Sequence, residues 1–444
     1  VSVRAIVLAA GKGTRMKSAL PKVMHEICGR PMLWYTLRAL REAGVDDIVV
    51  VTNREVEPAL AAFGVRGVLQ EPQHGTGHAV QVGLAALEES DGSIVVAYGD
   101  MPLIDAQTFR GVIAAIDDGA ALALVTARMP LPSNFGRIVR RGGGVAKIVE
   151  ARDCTPDELG LDEMNAGIYA YDEAKLRAVI GELRDDNAQR EFYLTDTVEL
   201  LLGQGESVVP VVAADHRLVL GINDRVELAA ARAILNARLC ETHMRAGVTI
   251  VDPATTYLEP DLIIGADTTI FPNTTIGGET TIGAGAHIGP NTRIAWSQIA
   301  ENVRITESVV TETTIAARAA IGPFAHLRAG TDVGTGVHIG NFVELKKTTM
   351  YAGAKAGHLA YLGDATVGER ANIGAGTITC NYDGKNKHRT QIGADAFIGS
   401  NSSLVAPVSV GDRGMTGAGA VVIRDVADGE RVVGNPARAL PPKA

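Results

Sequence analysis

From about Gly247 onward, aliphatic residues recur every six positions, and this period restricts the fold more than any other feature of the chain. Ile264, Ile270, Ile276, Ile282, Ile288 and Ile294 set the step. After a slip of one residue come Ile299 and Ile305, then Ile315, Ile321, Leu327, Val333, Ile339 and Leu345. Val367 and Ile373, and finally Ile392, Ile398, Leu404 and Val410, complete the series, and glycine follows many members, as at Gly265, Gly277, Gly322, Gly340 and Gly399. An α-helix repeats about every 3.6 residues and a strand alternates, so neither accounts for a period of six. The pattern is the hexapeptide repeat of a left-handed parallel β-helix. Each aliphatic side chain points inward onto the coil below, and small residues let the corners turn. The run TCNYDGKNKHRT at Thr379–Thr390 breaks the period, which then resumes, and so predicts a loop leaving the coil.

The first half reads differently. Short β-branched runs (Ala5–Ala10, Ile48–Thr52, Ile94–Tyr98, Leu122–Thr126) alternate with helix-like stretches such as Met32–Ala43 and Gly77–Glu89. That alternation predicts a Rossmann-like α/β domain with a mostly parallel sheet, whose ligand lies at the carboxyl ends of the strands. Between the halves, Asn223–Arg245 is rich in Ala and Leu. Val226, Ala229, Ala230, Ala233, Ile234 and Ala237 fall at three-and-four spacing and suggest one apolar helix face. The expected division is an α/β domain over 1–222, a linking helix over 223–246 and the β-helix over 247–444.

Composition narrows the class. A net charge of −9 gives no reason to expect general affinity for nucleic acid or anionic membrane. The four cysteines are scattered with no CxxC, as expected of a reduced, cytoplasmic protein without a zinc knuckle. The run Ala5–Ala10 is too short for a membrane span and ends in glycine, and it reads as a buried strand.

LAAGKGTRMKSALPK (8–22) follows that strand. It is not a Walker A loop, because no GK[ST] closes it, and Met16 stands where a dinucleotide fingerprint has its third glycine. Gly11 and Gly13 allow backbone N–H groups to approach an anion, and Arg15 and Lys22 add positive charge. The segment resembles the opening of the sugar-phosphate nucleotidylyltransferases. LQEPQHGTGHA (69–79), YGDMPL (98–103), FGR (135–137), VE (149–150), NAG (165–167) and GINDR (221–225) extend the resemblance. It implies that Leu8, Gly11, Lys22 and Tyr98 contact substrate and that Gln70, Gly75 and Thr76 read uracil. It further implies that Asp100 and Asn223 hold Mg2+, with Asn223 also near substrate, and that Gly136, Glu150 and Asn165 fix the sugar. Ala166 departs from the pattern, which has threonine there. Asn223 is equally placed to be a helix N-cap.

In the β-helix half, FAHLRAG (324–330), NFVELKK (341–347), AGHLAYLGDA (356–365) and NIGAGTITCNYDGKNKHR (372–389) interrupt the small-residue pattern with polar groups. They resemble the acetyltransferase half of the bifunctional glucosamine-1-phosphate acetyltransferase/N-acetylglucosamine-1-phosphate uridylyltransferases, so the resemblance covers essentially the whole chain. By it, His358 is the general base, a task suited to a group titrating near neutral pH, and Glu344 would orient its ring. Arg328 and Lys346 would grip the sugar phosphate, and Tyr361, Asn372, Asn381 and Tyr382 would line the sugar pocket, the last two where it meets acetyl-CoA. Ala375 would offer an oxyanion N–H. Ser400 and Ala418 would contact acetyl-CoA, with Lys387, and with it Arg389, at its phosphates; either Arg431 or Arg438 is the terminal arginine for that cofactor.

The resemblance implies acetyl transfer from acetyl-CoA to glucosamine 1-phosphate, then uridylyl transfer from UTP to N-acetylglucosamine 1-phosphate. The product would be the UDP-N-acetylglucosamine needed for peptidoglycan and lipopolysaccharide. Such β-helices assemble as homotrimers, which a three-faced prism permits. Two other readings share the two-part plan: a nucleotidylyltransferase with a regulatory β-helix, and a non-catalytic exchange-factor-like binding protein. The complete Arg15–Lys22–Asp100–Asn223 set argues against the second, and His358 in its long motif argues against the first.

Overall fold

The computed structural model describes residues 2–440. The chain forms two compact units, 1–234 and 235–444, and the boundary falls inside the helix Arg225–Arg245.

In the first unit, strands run in the order Val208–Val212, Leu122–Arg128, Glu163–Asp172, Ser93–Tyr98, Val3–Leu8, Asp47–Thr52, Arg66–Leu69. All neighbours are parallel except those of Glu163–Asp172, which runs antiparallel to both sides. The central strands are buried along almost their whole length, as strands covered by helices on both faces must be. The helices Met32–Glu42, Thr76–Ala85 and Ala106–Asp117 provide much of that cover. Three parallel strands therefore end side by side, and their following residues, Ala9–Gly13, Asn53 and Gly99–Asp100, emerge along one edge.

The second unit is a left-handed β-helix whose strands stack into three parallel sheets, one for each face. Ile270, Ile288, Ile305, Ile321 and Ile339 form one inward column, and Ile276, Ile294, Val310, Leu327, Leu345 and Leu362 form a second. The series of aliphatics omits Val310, Met350, Ala356 and Leu362. All four are buried and fill the columns, but their coils are a residue or two shorter than eighteen, which hides them from a strict six-residue period. Buried Thr and Ser line the turns and donate to backbone carbonyls, for example Thr280 to Gly277 (2.6 Å) and Ser297 to Ala295 (2.8 Å). Many corner hydroxyls are thus satisfied within the stack, whereas those of Thr274, Thr331 and Thr390 are buried without a partner.

The helix buries a different face from the expected one. Leu228, Ala231, Leu235, Asn236 and Cys240 are buried, whereas Val226 is 78% exposed and Ala229, Ala230, Ala233 and Ala237 are exposed. Leucine offers more apolar area than alanine. Asn236 adds specific bonds in the second unit, donating to the Thr256 carbonyl (2.8 Å) and accepting from Leu258 N–H (3.0 Å). The N-cap is Asp224, which accepts from Val226 and Glu227 N–H, and Asn223 is left for other work.

Candidate active sites

In the first unit, the loop after Val3–Leu8 is drawn onto Lys22. Gly13 has φ +57°, and a Cβ there would lie 2.5 Å from that of Lys22. The loop thus needs glycine for both conformation and space. Gly11 faces open space. Leu8 has its side chain in the core and its carbonyl bonded to Gly99 N–H (3.0 Å), so of the candidate residues it is the least free to meet a ligand. Asp100 follows Ser93–Tyr98, and its carbonyl accepts from Ile222 N–H (3.0 Å), which draws the 221–225 segment alongside. Four side chains distant in sequence then meet. Arg15 donates to Asn223 Oδ1 (2.8 Å), and Lys22 Nζ contacts both Asp100 Oδ2 and Asn223 Oδ1 (3.3 Å). The two oxygens converge on a single cationic group. A carboxylate and an amide oxygen so placed suit a hard divalent ion completed by phosphate oxygens and water.

Next to this cluster is a cavity of about 600 Å³, lined by Arg15, Tyr98, Asp100, Gly136, Glu150, Asn165 and Asn223 among others. Asn165 is pinned: its N–H donates to the Gly136 carbonyl (2.8 Å), its amide to Tyr169 (2.7 Å), and its oxygen accepts from Gly167 N–H (3.2 Å). Gly167 (φ +76°) leaves room for the Tyr98 ring, which a Cβ would meet at 2.5 Å. Burial raises the Glu150 carboxyl, against a hydroxyl hydrogen bond from Thr195 (3.4 Å). Burial, with the Glu150 and Asp100 charges nearby, also raises the Tyr98 phenol. Ala166 is buried. Gln70, Gly75 and Thr76 form an adjoining group. Thr76 hydrogen-bonds Tyr98 and accepts from Leu194 N–H (3.1 Å), and Gly75 (φ +103°) lies against the Phe192 carbonyl. Sequence reasoning missed Asn53 and Gln73, which both donate to the Ala10 carbonyl (3.0 and 2.5 Å) and hold the glycine loop. Gln73 stands inside the 69–79 motif but Asn53 stands in none, and only the fold shows what either holds.

In the second unit, strand register gathers the candidate acyl-transfer residues at one corner. Asn341 pairs with His358. Carrying the neighbouring pairs two or three residues further stacks Ala375 on His358, Ser400 on Ala375 and Ala418 on Ser400. The corner bonds agree: Leu359 N–H to Asn341 O, Asn401 N–H to Ala375 O and Gly419 N–H to Ser400 O. His358 is exposed, and its Nδ1 lies 2.6 Å from Asn341 Oδ1. An amide oxygen only accepts, so a proton sits on Nδ1, and in the neutral ring the lone pair is on Nε2. Asn341 therefore orients the ring in place of the expected Glu344. Glu344 lies past the corner on the next sheet, where it accepts from Arg328 (2.7 Å).

Arg328, Lys346 and Lys387 form a basic group. Hydrogen bonding to Lys387, with the charges of Lys387 and Arg328, lowers the Lys346 pKa. Three cations so grouped favour an anion, with Arg328 also paired to Glu344. Lys387 thus stands beside Lys346, outside the corner column of Ala375, Ser400 and Ala418. Within the Thr379–Thr390 run, residues 381–389 leave the coil, while Thr379, Cys380 and Thr390 stay in its strands, and pairing steps from Thr349–Thr366 to Thr366–Gln391 across the insertion. The loop is a tight hairpin in which Tyr382 pairs with Lys387. Asp383 caps its tip, and hydrogen bonds from Asn386 N–H, the His388 ring and Lys385 N–H together hold its carboxyl down at about 2. Asn381 donates to Asp364 (2.6 Å), and the Tyr361 hydroxyl sits over Gly363 close to Asn381. Asn372 faces outward on the first sheet between Lys355 and Phe397, and Arg431 continues that column beyond Met415. Arg389 reaches Thr366 (3.4 Å), and Arg438 bends back to its neighbour's carbonyl.

A mostly parallel α/β sheet with a glycine loop and an acid–amide pair, in one chain with a hexapeptide β-helix that presents an oriented histidine, defines a two-part transferase. Residues 5–193 match the MobA-like NTP transferase domain, residues 261–295 the bacterial transferase hexapeptide and residues 389–424 the hexapeptide repeat of succinyl-transferase. The chain is 46% identical to the bifunctional protein GlmU of Trichlorobacter lovleyi over 95% of its length and 93% of the relative's. The bifunctional GlmU proteins of Lactococcus lactis (46%) and Streptomyces avermitilis (44%) each match over 96% of the chain and more than nine-tenths of their own length. The chain belongs to the bifunctional GlmU family, enzymes that combine nucleotidyl and acyl transfer. No helix among the described residues is long and apolar enough to cross a membrane.

Proposed function

We propose that the second unit acetylates glucosamine 1-phosphate with acetyl-CoA and that the first unit joins the N-acetylated product to UMP from UTP, releasing pyrophosphate. In the acetyl step, Arg328, Lys346 and Lys387 bind the sugar phosphate. Nε2 of His358, freed by the Asn341 bond, takes a proton from the amine as it attacks the thioester carbonyl. A new C–N bond forms, the C–S bond breaks and CoA leaves as the thiol. The Ala375 N–H faces the developing oxyanion, and Tyr361, Asn372, Asn381 and Tyr382 enclose the sugar. Ser400 and Ala418 lie along the acetyl-CoA chain.

In the uridylyl step, a phosphate oxygen of the sugar attacks the α-phosphorus of UTP in line and the bond to pyrophosphate breaks. Gln70, Gly75 and Thr76 bind the base, Gly136, Glu150 and Asn165 the sugar, and Arg15 and Lys22 the phosphates. Asp100 and Asn223 would hold Mg2+, which would supply charge neutralisation at the reacting phosphates. On this reading, residues 1–222 carry uridylyl transfer, 223–246 link and 247–444 carry acetyl transfer. The active form is a homotrimer working in the cytoplasm. The observation that supports the reading is that candidate residues for both reactions stand together in one chain. Product analysis from UTP, acetyl-CoA and glucosamine 1-phosphate, with each input omitted in turn, tests it. UDP-N-acetylglucosamine should require all three inputs, and omitting UTP should stop the sequence at N-acetylglucosamine 1-phosphate. UDP-sugar formed without acetyl-CoA would contradict the order.

A further inference from the structure

The base-reading group holds a side chain that the steps above do not use. Gln70 is 4% exposed, and its amide nitrogen donates to the Gly75 carbonyl (2.9 Å) and lies 3.3 Å from His78 Nδ1. A primary amide has two N–H hydrogens on one side and an acceptor oxygen on the other. Turned over, the amide would set its oxygen against the Gly75 carbonyl oxygen, so its neighbours fix its orientation. The second hydrogen then needs an acceptor, and His78 supplies one only as a neutral ring protonated at Nε2. The surroundings favour that form. His78 is half-buried on the helix Thr76–Ala85 with the His74 ring 5.3 Å away, and burial, helped by His74, lowers its pKa.

We propose that His78 is a positioning residue for base selection: its unprotonated Nδ1 and the Gly75 carbonyl occupy both amide hydrogens of Gln70, so Gln70 shows the base only its oxygen. That oxygen accepts from an N3–H, which uracil has and cytosine lacks, so discrimination between UTP and CTP runs through His78. The inference rests on Gln70 as the base reader.

Two measurements on the full-length enzyme test it. Nitrogen-15 NMR of the histidine rings, assigned by the resonances lost in His78→Asn, should show His78 as the neutral Nε2–H tautomer. An Nδ1–H ring overturns the proposal. The second is the ratio of kcat/KM for UTP to that for CTP. His78→Leu should lower it about five- to tenfold, the weight of one hydrogen bond, with KM for the sugar phosphate unchanged. His78→Asn, whose Oδ1 can accept in place of Nδ1, should restore it to within about twofold. If Gln70→Ala lowers the ratio but His78→Leu does not, or if His78→Asn fails to rescue, His78 is structural and the base reading stands. A ratio unmoved by Gln70→Ala as well overturns the base reading and the inference together.

Discussion

Asp196, at the start of the helix Thr197–Gly203, shows how far surroundings can move one carboxyl. Burial, reinforced by Glu199, Asp153 and Asp186, holds it up at about 6. A carboxyl raised above its unfolded value binds its proton more tightly in the native state. Stability therefore falls as pH rises from about 4 to 6 and stays reduced above. Asp196→Asn should raise thermal stability at pH 8 by on the order of 1 kcal/mol, a figure discounted for solvent access. The gain should shrink as pH drops through 6 and vanish near 4, and a gain that grew on acidification would contradict the account. His358 shows the complementary case, in which one partner atom sets the tautomer. His358 stands out in the sequence because a polar motif surrounds it. Its partner Asn341 opens the run 341–347, but its role is hidden there, because only the strand register brings position 341 beside 358.

The β-helix strand makes that register rigid. A Cβ on Gly340 would sit 1.9 Å from the Gly357 carbonyl oxygen, whereas one on Gly357 would meet nothing within 4 Å. Gly340→Ala should cost about 2–3 kcal/mol of stability by forcing the backbones apart, and Gly357→Ala should stay within about 0.5 kcal/mol. Chemical denaturation of the two variants checks the contrast, and equal midpoints would contradict it. The prism itself was legible in the sequence, since the six-step pattern picks out most residues of the aliphatic columns and misses those, such as Val310 and Leu362, whose coils are shorter than eighteen. So were four strands of the first unit, to within a few residues at their ends, whereas Arg66–Leu69, Glu163–Asp172 and Val208–Val212 were not among those read. The linking helix was misjudged because alanine spacing outlines a face without showing which side holds the larger area. There Leu228 and Leu235 decide. Asn53, Gln73 and His78 act on backbone or on another side chain, and such work leaves no signature in composition or spacing.

For the whole molecule, the central claim is that one chain carries two chemically separate sites. Each is built from residues of a single compact unit: Arg15, Lys22, Asp100 and Asn223 in the first, Arg328, Asn341, Lys346, His358 and Lys387 in the second. The most direct test assays both reactions in two variants shown to be folded. Asp100→Ala should abolish uridylyl transfer and leave acetyl transfer within about twofold. His358→Ala should lower acetyl transfer by roughly 10²- to 10⁴-fold, the usual contribution of a positioned general base, and leave uridylyl transfer intact. Acetylation should be compared at a pH where the substrate amine is already free. Loss of both activities in either folded variant, or acetylation by His358→Ala within a few-fold of the unaltered enzyme, would contradict the account.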